Sequence, residues 1–282
     1  MDKLFGFNKN REMLTVPDLR RCRTLLFLPA SNPRAIQKAR ELKADMIVLD
    51  LEDAVKLEDK ETAREAASAA VREGFGGRPV AIRVNVSGSA WYEADAAALR
   101  RSGVSFAILP KAESERELLN LAERAGAPVL AMVETARGVQ ASAHFAHATA
   151  GLIAGTNDLA ADLAIPPGSG RAGLALGLQT VVLAARAAGV AAFDGVYNRL
   201  EDDDGLEAEC REGRAFGFDG KSLIHPNQIE TANRIFAPSE AEIDAATRLL
   251  AAATGGAERL EGRMIEAMHV EQARALIERA RR

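Results

Sequence analysis

Eight short apolar runs, each followed by a stretch with helical periodicity, constrain the fold of this chain more than any other feature. They read "RTLLFLPA" (23–30), "MIVLDLE" (46–52), "VAIRVN" (80–85), "FAILPK" (106–111), "PVLAMVE" (128–134), "GLIAGT" (151–156), "AFDGVY" (192–197) and "KSLIHP" (221–226). Their apolarity is continuous rather than alternating, which suits parallel strands buried on both faces. Among the intervening segments, "SERELLNLAERAG" opens on Ser114, carries Glu117 three residues later and stops at Gly126, the pattern of a capped amphipathic helix. "LQTVVLAARAAG" (178–189) and "GLEAECREGRAFG" (205–217) have the same character. Eight strand–helix alternations predict an α/β fold, a parallel (β/α)8 TIM barrel. No glycine-rich phosphate fingerprint follows the first run, which argues against a doubly wound dinucleotide fold.

The chain continues past the eighth run with "PNQIETANRIF", "SEAEIDAATRLLAAA" and a last amphipathic segment ending in "EQARALIERARR". We therefore expect a barrel domain over 1–235, with a short N-terminal arm, and a C-terminal helical extension over 236–282 placed as a candidate lid. "ATGGAERLEG" reads as a loop inside that extension.

Composition narrows the class. The chain is 48% hydrophobic and 27% charged, an ordinary globular balance, and its net charge of −4 gives no basic field for nucleic acid. Two cysteines, Cys22 and Cys210, do not make a disulfide framework and read as reduced thiols of a cytoplasmic protein. No window has the length and apolarity of a membrane span, and the charged N-terminus does not read as a signal peptide.

Chemistry in such barrels sits at the C-terminal strand ends, and here those ends are polar. The second run ends in "VLDLEDAV", three carboxylates in four positions: Asp50, Glu52 and Asp53. The third holds Arg83 and Asn85, the fourth ends in Pro110 and Lys111, and the fifth in Glu134 and Thr135. The sixth runs into Asn157 and Asp158, the seventh carries Asp194, and the eighth ends in His225. Each residue taken singly has a structural reading too. Arg83 fits a buried ion-pair partner of the acids, and Asp158 fits a helix N-cap. Together they point to a site. Glu134 and Asp158, on neighbouring strands, are hard oxygen donors suited to Mg²⁺. Arg83 is a fork-shaped receptor for a carboxylate. A metal beside an arginine describes a site for an α-keto or α-hydroxy acid. His144 and His147 lie one turn apart without a third soft ligand, so a zinc site is not expected. "IPPGSGRAG" (165–173) reads as a mobile loop, with Arg171 either near substrate or on the surface.

The ordered blocks "RTLLFLPASNP", "DMIVLDLEDAV", "AIRVN", "ILPKAES", "AMVETARGV", "GTNDLAADL", "GFDGKSLIHPNQI" and "NRIFAPSEAEI" resemble the HpcH/HpaI aldolase and citrate lyase β-subunit family. The resemblance spans roughly residues 23–245. It implies a Mg²⁺-dependent, usually trimeric barrel that cleaves or forms carbon–carbon bonds next to a thioester. The substrates implied are 3-hydroxy-acyl thioesters of coenzyme A or an acyl carrier, and the product is a 2-keto acid, released by retro-Claisen cleavage. On this pattern Glu134 and Asp158 are the metal ligands, and Arg83 with Glu134 binds substrate. Glu52 and Asp53 hold water on the metal and orient Arg83, while Asp50 bonds backbone or a neighbouring basic group. Arg23 corresponds to an arginine on the coenzyme A side.

Two departures stand out. Pro29-Ala30 replaces a family Pro-Gly. Met264-Ile265-Glu266-Ala267-Met268 replaces a tail in which an aspartate reaches a neighbouring subunit's site as an acid. Glu266 is thus a candidate catalytic acid with one extra methylene, and it equally fits a helix-surface role. Three alternatives remain beside a free-standing acyl-CoA lyase: a citrate lyase β subunit fed by an acyl carrier protein, an aldolase of free hydroxy-keto acids, and an inactive barrel with an interaction role.

Overall fold

The computed structural model describes residues 19–253, 256, 258–260 and 263–281; residues 1–18, the N-terminal arm of the sequence reading, lie outside them. Contacts divide the chain into two compact units that meet between Asn233 and Arg234.

The first unit is the barrel. Its strands are β1 (Thr24–Pro29), β2 (Met46–Asp50), β3 (Val80–Arg83), β4 (Phe106–Leu109), β5 (Val129–Val133), β6 (Gly151–Ala154), β7 (Ala191–Asp194) and β8 (Gly220–Leu223). All neighbours are parallel, and β8 closes the ring on β1 through Thr24 and Lys221. Each strand ends one to three residues before the apolar run does, because the polar residues that follow turn out of the ladder into loops. The outer helices are α1 (Pro33–Ala39), α2 (Lys60–Glu73), α3 (Tyr92–Ser102), α4 (Glu115–Ala125), α5 (Ala136–Phe145), α6 (Thr156–Asp162), α7 (Ala175–Ala188) and α8 (Asp203–Phe216), followed by α9 (Gln228–Phe236), which runs across the division. The end signals of α4 act as read: the Ser114 hydroxyl accepts from the Glu117 N–H, and Gly126 takes φ 64°.

Side chains alternate across a strand, and this alternation decides what faces the barrel axis. Leu25 and Phe27 of β1, Met46 and Val48 of β2, Phe106 and Ile108 of β4, and Leu130 and Met132 of β5 form the buried interior. Continued by two residues, the same series place Asp50 and Glu134 inward at the C-terminal mouth, and Ala81 of β3 leads to Arg83.

The opposite series faces the helices. Asp194 and Lys221 are fully buried between the barrel wall and α8, with Lys221 Nζ 3.0 Å from Asp194 and 2.7 Å from Glu209. Arg171 completes this network at 2.8 Å from Asp194 and 3.1 Å from Glu209. A Cβ at Gly213 would stand 2.5 Å from Asp194 Oδ2, so glycine makes room for the carboxylate. Both readings of Arg171, near substrate or on the surface, are corrected accordingly: its guanidinium is held in the helix layer by buried Asp194 together with Glu209 and Glu212.

The second unit contains α10 (Glu240–Ala252) packed on α11 (Ala267–Ala280), with β9 (Glu258–Leu260) antiparallel to β10 (Arg263–Ile265) between them in sequence. The extension is therefore not wholly helical, and part of the stretch read as a loop is the first strand of a ribbon. Ser239 opens α10 with a reciprocal cap to Glu242.

Candidate functional site

The C-terminal mouth of the barrel holds a cavity of about 420 Å³. Asp50, Asp53, Arg83, Glu134 and Asp158 line its ionic side. Phe27, Leu28, Val196 and Ile224 add apolar lining.

Arg83 is the hub. It stands beside Asp50 in the β2–β3 register, and its Nε and Nη2 each donate to an Asp50 oxygen at 2.7 Å. Its Nη1 lies 2.9 Å from Glu52 and 3.6 Å from Asp53. Phe27 presents its ring 5.7 Å from the guanidinium carbon, a cation–π distance. Burial works against the charge, but Asp50, Glu52 and Glu134 more than offset it and hold Arg83 protonated. The residue that chiefly orients Arg83 is therefore Asp50; the sequence reading has it bond backbone or a neighbouring basic group, and it does both. Asp50 also accepts from the N–H groups of Glu52 and Ala54, at 3.0 Å each, and so fixes the turn that carries the other two acids. Asp53 is a peripheral member, with its side chain 61% exposed.

Two buried supports hold these strand exits. Lys60 of α2 donates to the carbonyls of Leu51 and Glu52 at 2.7 Å. Asp95 of α3 accepts from the backbone and side-chain amides of Asn85 and from Arg64 Nε.

Glu134 follows β5 and is 2% exposed. Its Oε1 accepts the Lys111 N–H at 2.8 Å. Lys111 adopts φ 48° to deliver that N–H, a left-handed conformation uncommon outside glycine and concentrated at functional sites. The Lys111 ammonium lies 3.3 Å from Asp158, in the first turn of α6. A Cβ at Gly155 would fall on Cβ and Oε2 of Glu134, so the missing side chain leaves the hollow in which this carboxylate sits. Burial, then the negative charge of Glu52, push the Glu134 carboxyl up to about 8, against Arg83 and the Lys111 N–H. Burial also lifts Glu52 to about 7, against Arg83 and with Asp53 and Asp50.

This donor set fits a hydrated Mg²⁺. Glu134 and Asp158 are hard carboxylates on one cavity, and Glu134 sits in a hollow kept open by Gly155. Among the described residues no cluster of three or more His, Cys, Asp or Glu has metal-binding geometry. A pair of carboxylates agrees with an ion that keeps several waters, and not with a closed all-protein cage. His147 pairs with Glu115, and His225 Nδ1 bonds Asn227 in an exposed turn.

Arg83, Glu52, Asp53, Glu134 and Asp158 thus meet at one mouth, and Arg23 does not. It precedes β1 at the opposite end of the barrel, where Asp45 binds it at 3.2 Å. The length of β1, roughly 16 Å at about 3.3 Å per residue, separates it from Pro29 on the cavity. The expected coenzyme A contact is corrected on this ground. Ala30, in place of the family glycine, is buried without strain and donates to the Asp50 carbonyl at 3.0 Å. Glu266 is exposed just ahead of α11, and its N–H donates to His269 Nδ1 at 3.0 Å. Lys111 reads in the sequence only as one of the polar strand ends, and Gly155 is given no role there. The usable signals were the polar residue directly after "ILP" and the glycine between strand and acid in "AGTND".

Residues 23–226 match the family model described as HpcH/HpaI aldolase/citrate lyase, and 178–282 match that of a C–C bond lyase of the TIM-barrel fold. A (3S)-malyl-CoA thioesterase of Cereibacter sphaeroides is 40% identical over 268 residues, covering 92% of this chain and 94% of that protein. The citrate lyase subunit beta of Leuconostoc mesenteroides subsp. cremoris is 35% identical over 246 residues, 82% of each chain. Among solved structures, CitE from Mycobacterium tuberculosis in complex with magnesium, acetoacetate and coenzyme A aligns with a TM-score of 0.81 and 35% identity. That alignment covers 93% of this chain and 99% of the other.

Proposed function

The chain belongs to the HpcH/HpaI aldolase/citrate lyase family and is a carbon–carbon lyase built on a TIM barrel, and from this we propose that it cleaves 3-hydroxy-acyl-CoA thioesters with Mg²⁺ into an acyl-CoA and a 2-keto acid. The observation that carries the reading is the inward Asp50–Arg83 pair beside Glu134 and Asp158 on a single cavity. The relatives support it: the M. tuberculosis protein was solved with magnesium, a small keto acid and coenzyme A, and others act on malyl-CoA or are citrate lyase subunits.

Glu134 and Asp158 would hold the metal, which when bound supplies a Lewis acid for negative charge developing on substrate oxygens. Arg83 lines the cavity with a fixed positive charge, while Asp50 and Glu52 stop it from turning away. Its charge orients the acidic half of the substrate and stabilises the keto acid as it forms. A base takes the 3-hydroxyl proton, the keto C=O forms as the C2–C3 bond breaks, its electron pair passes into the thioester enolate, and that enolate takes up a proton at C2. Lys60 and Asp95 keep the two strand exits in register throughout. Glu266 shares in this scheme as an acid only if Glu266→Gln slows turnover; equal turnover assigns it to the surface.

The lyase is read as a cytoplasmic homotrimer. The buried thiols of Cys22 and Cys210, which are not joined in a disulfide, suit a reducing compartment, the family pattern supports the trimer, and light scattering on the eluted protein measures its mass. No described helix is long and apolar enough to cross a membrane.

The relatives described as thioesterases favour a second reading, hydrolysis of the thioester with the carbon chain intact. Assays of Glu134→Ala and Asp158→Ala with Mg²⁺ test the site. Loss of keto-acid release with the fold retained is expected, and full activity in either variant overturns the assignment.

A further inference from the structure

We propose that the Ser222 hydroxyl is a substrate-binding group that donates a hydrogen bond to the 2-keto acid half of the substrate at the floor of the cavity. This rests on the lyase reading above.

Ser222 lies on β8 next to Lys221. Lys221 points outward into the carboxylates of the helix layer, so the alternation of the strand turns Ser222 to the barrel interior. It is 1% exposed and lines the cavity. Its Oγ is buried and has no hydrogen-bond partner among the described residues. A buried hydroxyl left in that state is costly, and native structures seldom tolerate one without a role. Of the residues that line the cavity with it, Phe27, Leu28, Val196 and Ile224 have no polar side-chain atom to offer, and Asn157 and Asn198 bond each other.

Two further facts identify what it meets. The acyl-CoA arm is far larger than a cavity of about 420 Å³ and must leave through the mouth. The half of the substrate that reaches the buried floor is therefore the keto acid. Its carboxylate and carbonyl oxygens are acceptors only and need donors. Arg83 has already committed Nε and Nη2 to Asp50, so a neutral donor elsewhere on the same cavity completes the set. A site built around such a hydrogen bond discriminates strongly against ligands that leave it unmade.

Calorimetric titration of the full chain in Mg²⁺ with glyoxylate, pyruvate and oxaloacetate, and separately with acetyl-CoA, tests this. Ser222→Ala is expected to weaken the keto acid that the wild type binds best by about tenfold, the loss of one hydrogen bond to a charged group. Affinity for acetyl-CoA and the thermal midpoint should stay unchanged. Ser222→Thr, which keeps the hydroxyl, should recover most of the loss. Equal keto-acid affinity in Ser222→Ala and wild type overturns the proposal. So does an equal loss in the Ala and Thr variants, which would show that volume and not the hydroxyl matters. A wild type that binds none of the three keto acids removes the lyase reading and this assignment with it.

Discussion

Asp50 and Arg83 face each other in the β2–β3 register and are joined by two hydrogen bonds of 2.7 Å, both side chains buried at the barrel mouth. The sequence shows an acid cluster on one strand and an arginine on the next. The structure makes one pair the pivot on which the remaining acids are arranged. Removing one member of such a pair leaves an uncompensated buried charge, at a cost of about 3 kcal/mol or more. Asp50→Asn should lower the unfolding free energy by roughly that amount in urea titrations. It should also weaken keto-acid binding, since Arg83 loses the partner that holds two of its nitrogens.

The acid pair below this pivot predicts how metal and pH interact. Glu134 at about 8 and Glu52 at about 7 both lie above the ordinary carboxylate value of 4.5. Without metal, the folded chain keeps protons that the unfolded chain has given up, so their contribution to stability is full below pH 4.5 and is lost as pH rises through 7 and 8. Mg²⁺ favours the deprotonated form. The gap in thermal midpoint between Mg²⁺ and EDTA samples should widen from about pH 6 to about pH 8.5. Calorimetry in buffers of different ionisation enthalpy should register proton release on binding. A gap that stays flat contradicts the placement of Glu134.

Gly155 is a positioning residue for Glu134, since a Cβ there would overlap the carboxylate. Gly155→Ala should weaken Mg²⁺ binding by at least about tenfold, a cost of about 1.4 kcal/mol. Wild-type affinity in that variant would show that Glu134 can move without consequence.

The outward network predicts stability without chemistry. Lys221→Met leaves Asp194 and Glu209 with Arg171 alone among the cations of the described residues that contact them. Breaking a buried pair in this way should cost about 3–5 kcal/mol in denaturant. Turnover per folded molecule should change by less than about twofold, because the network faces α8 and not the cavity. A large fall in turnover at unchanged stability would place it in the mechanism.

The barrel was legible because a period of strand and helix repeated eight times leaves few alternatives, and because capping residues such as Ser114 and Gly126 act locally. Which residues share a face beyond the strand was harder to read. Asp50 sits in an acid run whose three members look alike; only the pleat shows that it, and not Asp53, takes two of the Arg83 nitrogens. Lys111 contributes its backbone N–H through an unusual φ, which its side chain does not advertise. Arg23 matches a motif, but its place at the strand start puts it at the wrong end of the barrel. Arg171 looks exposed in a glycine- and proline-rich loop, and its carboxylate partners come from segments 23 to 41 residues further on.

The central claim is carbon–carbon cleavage at the Glu134–Asp158 pole, and product identity tests it most directly. Incubated with (3S)-malyl-CoA and Mg²⁺, the protein should release glyoxylate and acetyl-CoA in equal amounts, and Glu134→Ala should release neither. Malate and free coenzyme A as the products, formed equally well by Glu134→Ala, would contradict it.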